Sequence, residues 1–105
     1  MAWIYLLLAG FFEMGWPLGL KISQAADSKF PGIALAVCAM ALSGVFLWMA
    51  QKSIPIGTAY AVWTGIGAAG TFFIGIFFFN DPASFWRIFS AMLILMGVIG
   101  LKLSA

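Results

Sequence analysis

Long apolar stretches alternate with short polar breaks along the chain. Breaks at charges and prolines leave four apolar stretches of about 19 to 26 residues, at positions 2–20, 30–50, 54–79 and 83–101. A helix of about 20 residues rises roughly 30 Å, which matches the hydrocarbon thickness of a bilayer. None of the stretches shows the apolar and polar alternation of membrane barrel strands. The pattern therefore predicts an all-α integral membrane protein with four transmembrane helices per chain.

The polar breaks between the stretches are short and rich in serine, aspartate, asparagine and proline, which favour turns. We expect helices at about residues 2–21, 30–51, 55–79 and 83–103. No segment is left for a soluble unit, so residues 1–105 are expected to form a single transmembrane domain. The first stretch has no basic start and carries Glu13 in its middle, so we expect it to remain in the mature protein.

Composition supports lipid as the outer solvent and narrows the function. Hydrophobic residues make up 65% of the chain and charged residues 8%, whereas a soluble surface is about a quarter charged. With no histidine, one cysteine and three acidic residues, the usual sets for zinc, disulfides, catalytic triads and paired-acid hydrolysis are missing. No cluster of basic residues suits a row of phosphates. We expect no enzyme, nucleic-acid partner, metal or cofactor.

The basic residues favour neither orientation strongly. One side of the membrane would hold Lys52 and Lys102, and the other Lys21, Lys29 and Arg87. Under the positive-inside rule, a difference of one charge between the two sides has little effect on orientation. We therefore expect the chain to insert in both orientations, and two copies of opposite orientation to pair. A chain of only four helices encloses little interior, so a polar pathway is expected at an interface between copies.

Small residues indicate where helices can approach closely. Gly15 and Gly19 have the GxxxG spacing, and Gly97 and Gly100 make the fourth helix a candidate for contact between copies. Cys38 has no partner cysteine and is expected to be a small buried residue.

Two features predict local bending. Gly65 and Gly67 belong to a small-residue run in the middle of the third helix, which makes them candidate hinge positions. Pro17 lacks the N–H that would bond the backbone carbonyl of Glu13, and its ring crowds that carbonyl. We therefore predict a kink or a freed acceptor next to Glu13.

Glu13 lies near the middle of the first helix, where insertion of a carboxylate costs about 2.5–3.5 kcal/mol. Such residues mark transport, proton relay or binding. A low-dielectric environment favours the protonated carboxyl, whereas a neighbouring cation favours the ionised form. A single acidic residue can therefore bind either a proton or a cation. That competition is the minimal chemistry of an antiporter. The alternative is a protonated glutamic acid that only bonds a neighbouring helix.

Helical geometry places Trp16, Pro17 and Leu20 on the face of Glu13, and the GxxxG glycines on the far side. The second helix offers Ser43 as its main buried polar group. One stripe of the third helix collects aromatic, hydroxyl and glycine positions: Tyr60, Trp63, Thr64, Gly67 and Thr71. A planar guanidinium suits such surroundings, because two of its N–H groups can donate to one carboxylate while its flat face stacks on an aromatic ring.

Several segments resemble a known family. Residues 55–67 read PIGTAYAVWTGIG, residues 12–16 read FEMGW, and residues 19–21 and 97–102 read GLK and GVIGLK. Together they are similar to the small multidrug resistance transporters, in particular to the guanidinium exporter subtype, over nearly the whole chain. This resemblance implies a multi-pass protein of the bacterial inner membrane that works as an antiparallel, dual-topology homodimer.

The resemblance also implies roles for individual residues. Glu13 of both copies would bind proton and exported cation alternately, and Trp16 is typical of the guanidinium subtype. Ser43 matches a serine that hydrogen-bonds the glutamate. Tyr60 resembles a gating and binding tyrosine, and Trp63 a tryptophan that orients the glutamate. The resemblance further implies that the third helix bends at residues 65–67 and that the fourth helices form dimer contacts.

We therefore expect a proton-coupled antiporter that exports guanidinium and small substituted guanidinyl cations, with lipid and a second copy as its other partners. The sequence departs from the subtype at residues 14–15 and 17–18, so a reshaped first helix can admit guanylurea or biguanides. One alternative is a promiscuous exporter of quaternary ammonium or polyaromatic cations. Another is a subunit that pairs with a paralogous small transporter, in which Glu13 only fixes helix register.

Overall fold

The computed structural model describes residues 1–104, which form helices and no strand. Each of its four helices is long and apolar enough to cross a membrane. In chain order these are α1 (Ala2–Ala25), α2 (Phe30–Ala50), α3 (Ile56–Phe78) and α4 (Phe85–Ser104). The expected all-α membrane architecture with four spans is confirmed.

The first helix is longer than the sequence pattern indicates. It continues past position 21 and ends at Ala25. Ser23 is buried, and its hydroxyl donates to the carbonyl of Leu20 at 2.7 Å. Gly32 of α2 lies directly against the backbone of Ser23. Packing against α2 therefore holds an extra turn that the polar composition of this segment did not predict.

The connection between α3 and α4 is also longer than expected. Asn80, two residues after the last residue of α3, adopts a left-handed backbone conformation with φ of 57°. The helix α4 then begins at Phe85, two residues after position 83. The hydroxyl of Ser84 accepts the N–H of Arg87 at 3.4 Å, which is the geometry of a serine that caps a helix start.

Glycines bring α1 and α2 into close contact. A Cβ atom added at Gly19 would lie 2.6 Å from the carbonyl oxygen of Gly32 and from the backbone nitrogen of Ala36. A Cβ added at Gly15 would lie 2.6 Å from the Cβ of Ala39. The predicted packing face of α1 therefore lies against α2, which leaves the face of Glu13 to α3.

The helix α3 packs against α1 at a small apolar core that includes Leu6 and Val62. The helix α4 packs against α3, where a Cβ added at Gly65 would lie 2.6 Å from a methyl group of Val98. Within residues 85–104, Ala91 is the one buried residue of α4. Most of α4 is therefore left uncovered by its own chain.

The four helices form a slab that measures 45 × 34 × 17 Å. Its buried apolar residues are few and mostly alanine, and many of its large apolar side chains are exposed, so the slab encloses little interior. Cys38 is exposed on α2. The expectation that it is buried is wrong, because α2 turns only one face toward its neighbours in so thin an arrangement.

Candidate functional site

The side chain of Glu13 extends from the middle of α1 onto the backbone of α3. A Cβ atom added at Gly67 would overlap the Cγ of Glu13. The residue at position 67 must therefore be glycine if the acid is to lie in this place. The structure gives Gly67 a direct role in seating Glu13, in addition to the hinge role that the sequence suggests.

A cavity of about 300 Å³ lies next to Glu13 between α1 and α3. It offers a carboxylate, an indole ring and two hydroxyls to a bound molecule. The residues that line it are Glu13, Trp16, Pro17, Thr64, Gly67, Ala68 and Thr71. The structure thus brings Glu13 and Trp16 together with Thr64, Gly67 and Thr71 of the α3 stripe. The cavity combines charge, aromatic surface and hydrogen-bond acceptors.

A chain of two hydrogen bonds joins three helices one turn away from Glu13. The indole Nε1–H of Trp63 donates to the hydroxyl of Ser43 at 2.7 Å, and that hydroxyl donates to the carbonyl of Ala9 at 2.6 Å. In an α-helix the carbonyl of Ala9 also accepts the N–H of Glu13, four residues later. The chain therefore fixes the turn of α1 that carries the acid.

The bonding of Ser43 differs from what the family resemblance implies. Its hydroxyl is fully buried at 0% exposure and has a single proton, which it donates to Ala9 rather than to Glu13. Trp63 likewise reaches Glu13 through Ser43 and the α1 backbone, without bonding the carboxylate in this structure.

Tyr60 lies outside the cavity. Its side chain is 56% exposed, and its ring centroid is 5.5 Å from that of Trp63. Seven residues separate Tyr60 from Gly67, which is about 10 Å along the axis of α3. Tyr60 therefore faces the surroundings of the chain, beside the hydrogen-bonded tryptophan.

The remaining sequence candidates lie away from the acid or within unbroken helix. At Gly97 and Gly100, no atom of the described residues lies within 4 Å of an added Cβ. The helices stay α-helical through Gly65, Gly67 and Pro17. Dimer contact and bending at these positions stay predictions.

Sequence reasoning did not identify Ala68 and the carbonyl of Ala9 as parts of the site. The helical spacing of positions 64, 68 and 71 could have indicated Ala68, because these residues share one face of α3. Ala9 contributes only its backbone, so its side chain carries no signal for this role.

Replacing Ser43 by alanine is expected to destabilise the protein by about 1–3 kcal/mol, because the partly buried N–H of Trp63 loses its acceptor. Reversible unfolding in detergent micelles would measure this change. The control is Ser90→Ala, since the exposed hydroxyl of Ser90 bonds only the Trp86 carbonyl of its own helix. Equal stability of the two variants would contradict the structural role of Ser43.

Four membrane-spanning helices with an acid-lined cavity between two of them define a small multi-pass membrane protein with an ionisable site inside its spans. The family model described as Small Multidrug Resistance protein matches residues 1–94. The chain belongs to the small multidrug resistance family. It is thus a transporter and not an enzyme, and it resides in the bacterial inner membrane.

Curated relatives match over essentially their full lengths. A guanidinium exporter of Yersinia pseudotuberculosis is 51% identical over 105 residues, which cover 100% of both chains. A guanidinium exporter of Salmonella typhimurium is 47% identical over 100% of this chain and 99% of its own. One from Escherichia coli is 46% identical over 104 residues, or 99% of this chain and 98% of its own.

Proposed function

We propose that this protein exports guanidinium and small substituted guanidinyl cations in exchange for protons. The observation that carries the proposal is the carboxylate of Glu13 in a cavity near the middle of the apolar helix α1, beside the indole of Trp16. The full-length similarity to proteins named guanidinium exporter, at 46–51% identity for the three described above, supports the choice of cation.

The lining of the cavity suits a planar cation with several N–H groups. Two parallel N–H groups of guanidinium can donate to the two oxygens of Glu13. Its remaining N–H groups can donate to the hydroxyls of Thr64 and Thr71, and its flat face can stack on Trp16. A quaternary ammonium ion has no N–H to donate, so it would leave these acceptors unpaired.

The exchange of protons for guanidinyl cations depends on the single negative charge of Glu13. An ionised carboxylate without a partner is unfavourable inside a membrane, and either a proton or a bound cation neutralises it. Both cannot occupy the same carboxylate, so cation binding expels the proton and proton binding expels the cation. This competition couples the two fluxes through Glu13 and requires no second acidic residue in the spans.

We propose that the working unit is an antiparallel, dual-topology homodimer. Thr64 and Ala68 line the cavity and are exposed, so the cavity lacks a complete wall, which a second copy would supply. The uncovered positions of Gly97 and Gly100 on α4 suit close contact between fourth helices. In such a dimer the two Glu13 carboxyls would face one pocket and titrate as a coupled pair.

The other proposed roles rest on the same arrangement. Ser43 and Trp63 hold the α1 turn that carries Glu13, and Tyr60 is exposed where a partner copy or an entering cation can meet its ring. Bending of α3 at Gly65 and Gly67 would move the wall of the cavity that faces Glu13.

Cation-evoked currents in proteoliposomes of the purified protein test the proposed function. Guanidinium, guanylurea and a biguanide are expected to evoke currents, and tetraethylammonium is not. Currents with tetraethylammonium alone would assign the chain to the promiscuous drug exporters. No current from the lone chain, together with current after co-reconstitution with a paralogous subunit, would assign it to the heterodimeric transporters.

The variant Pro17→Ala is expected to weaken binding of guanylurea relative to guanidinium by about threefold to tenfold. Pro17 lines the cavity and leaves the carbonyl of Glu13 without its helical donor. Alanine restores that donor and so removes an acceptor for the longer cation, a loss of about one hydrogen bond. The ratio of half-saturating concentrations in the current assay measures this change.

Pro31→Ala is the matched control, because Pro31 lies in the first turn of α2, where no helical hydrogen bond is lost. Unchanged selectivity in Pro17→Ala would show that Pro17 does not shape the preference among guanidinyl cations.

A further inference from the structure

A second cavity, of about 200 Å³, adjoins the cavity of Glu13 on the side toward the C-terminal ends of α1 and α3. Pro17 and Thr71 line both cavities, so together the two form one groove between these helices. The second cavity is bounded by Pro17, Leu18, Lys21, Thr71, Ile74, Gly75, Phe79 and Asp81. The groove therefore runs from the acid near the middle of α1 to a pair of charged residues, Lys21 and Asp81, toward the helix ends.

Asp81 places a second carboxylate at the mouth of this groove, where the residue is exposed. A Cβ atom added at Gly75 would overlap a carboxylate oxygen of Asp81, so glycine at this position lets the side chain lie on α3. The backbone N–H of Asp81 donates to the carbonyl of Gly75 at 3.1 Å and holds the residue there.

The side chains of Glu13 and Asp81 lie against the same face of α3. Gly67, Thr71 and Gly75 follow one another at intervals of four residues, which lie on one helix face. Glu13 lies over the first of these positions and Asp81 over the last. Eight residues of helix separate the two carboxylates by about 12 Å along the axis, with the Thr71 hydroxyl between them.

Lys21 of α1 lines the opposite wall of the groove mouth. It follows Glu13 by eight residues, as Gly75 follows Gly67, so it lies at the same level as Asp81. An ammonium alone at this mouth would repel any entering cation. The carboxylate of Asp81 offsets that charge and supplies an acceptor for N–H donors.

We propose that Asp81 forms a second, outer binding site for guanidinyl cations, where the cation pauses on its way to and from Glu13. This inference rests on the proposed function. It assigns to Asp81 the capture of the cation, and to Lys21 an opposing charge that keeps the outer site weak enough to release it.

The concentration dependence of guanidinium currents in proteoliposomes tests this outer site. Asp81→Asn is expected to raise the half-saturating concentration about threefold to tenfold, because one favourable charge leaves the groove mouth. The maximal current is expected to stay within about twofold, because Glu13 is untouched. Lys21→Gln is expected to lower the half-saturating concentration by a similar factor.

The matched controls are Asp27→Asn and Lys29→Gln. Both residues are exposed in the α1–α2 connection, at the same ends of the helices, and neither lines the groove. Each control removes the same charge as its counterpart, and half-saturation is expected to stay within about twofold of the unchanged protein. Equal shifts in Asp81→Asn and Asp27→Asn would show a general surface-charge effect and overturn the outer site.

Gly75→Ala supplies a second variant that keeps every charge. Its Cβ would occupy the place of the Asp81 carboxylate and displace it from the groove, so a similar rise in half-saturation is expected. An unchanged value in Gly75→Ala would contradict the outer site. Absence of guanidinium current from the unsubstituted protein would instead overturn the proposed function, and the outer site with it.

Discussion

Glu13→Gln is expected to abolish guanidinium-evoked current in proteoliposomes. Glutamine has nearly the same size as glutamate but cannot ionise, so it neither neutralises a cation nor exchanges a proton. Removing one partner of a buried charge pair costs about 3–5 kcal/mol, which corresponds to more than about 100-fold in binding. The current should therefore fall to the level of empty liposomes.

Two further variants make this result specific. Asp27→Asn removes a carboxylate outside the cavity and should keep full current. Glu13→Asp keeps an ionisable group one methylene shorter and should retain a reduced current. Trp16 is one of five tryptophans and lines the cavity, so a fluorescence change on guanidinium binding that is lost in Trp16→Phe reports binding independently of transport. Guanidinium current in Glu13→Gln equal to that of the unsubstituted protein would exclude Glu13 as the exchange site.

Gly19→Ala is expected to destabilise the protein, because the methyl group would be added where α1 and α2 lie in close backbone contact. The added Cβ would lie 2.6 Å from the carbonyl oxygen of Gly32 and 2.9 Å from the Cα of Ala36. These are backbone atoms, so the two helices must separate to make room. Overpacking of this kind costs about 1–3 kcal/mol. Reversible unfolding in detergent micelles measures the change.

Gly44→Ala is the control for this prediction, because no atom of the described residues lies within 4 Å of a Cβ added there. Alanine is favoured over glycine inside a helix by about 0.5–1 kcal/mol, so Gly44→Ala should be as stable as the unsubstituted protein or slightly more so. If Gly19→Ala matched Gly44→Ala, the close contact between α1 and α2 would not limit stability.

The number and nature of the helices could be predicted from the sequence because they depend on local properties. Four apolar stretches of spanning length are sufficient to predict four membrane helices. The ends of the helices were less predictable where packing intervened. Ser23 looked like part of a polar loop, yet its contact with Gly32 keeps it in α1.

The face of α1 that carries Glu13 was also predictable, since the angle between residues on one helix is fixed by geometry. This reasoning placed Trp16 and Pro17 beside the acid, and both line its cavity. It could not determine what Ser43 bonds, because that depends on which backbone carbonyl of another helix lies nearest. The family resemblance implied a bond to Glu13, whereas the nearest acceptor is the carbonyl of Ala9.

By itself, the sequence determined the all-α membrane class, the four spans, the acid inside the first of them and the residues that share its face. Only the tertiary structure decided that Gly67 seats Glu13, that Ser43 links Trp63 to Ala9, and that Asp81 lies over Gly75 in the same groove. The physical reason is that hydrophobicity and helical periodicity act within one element. Contacts between elements depend on the register and closeness of two backbones, which small residues permit but do not specify.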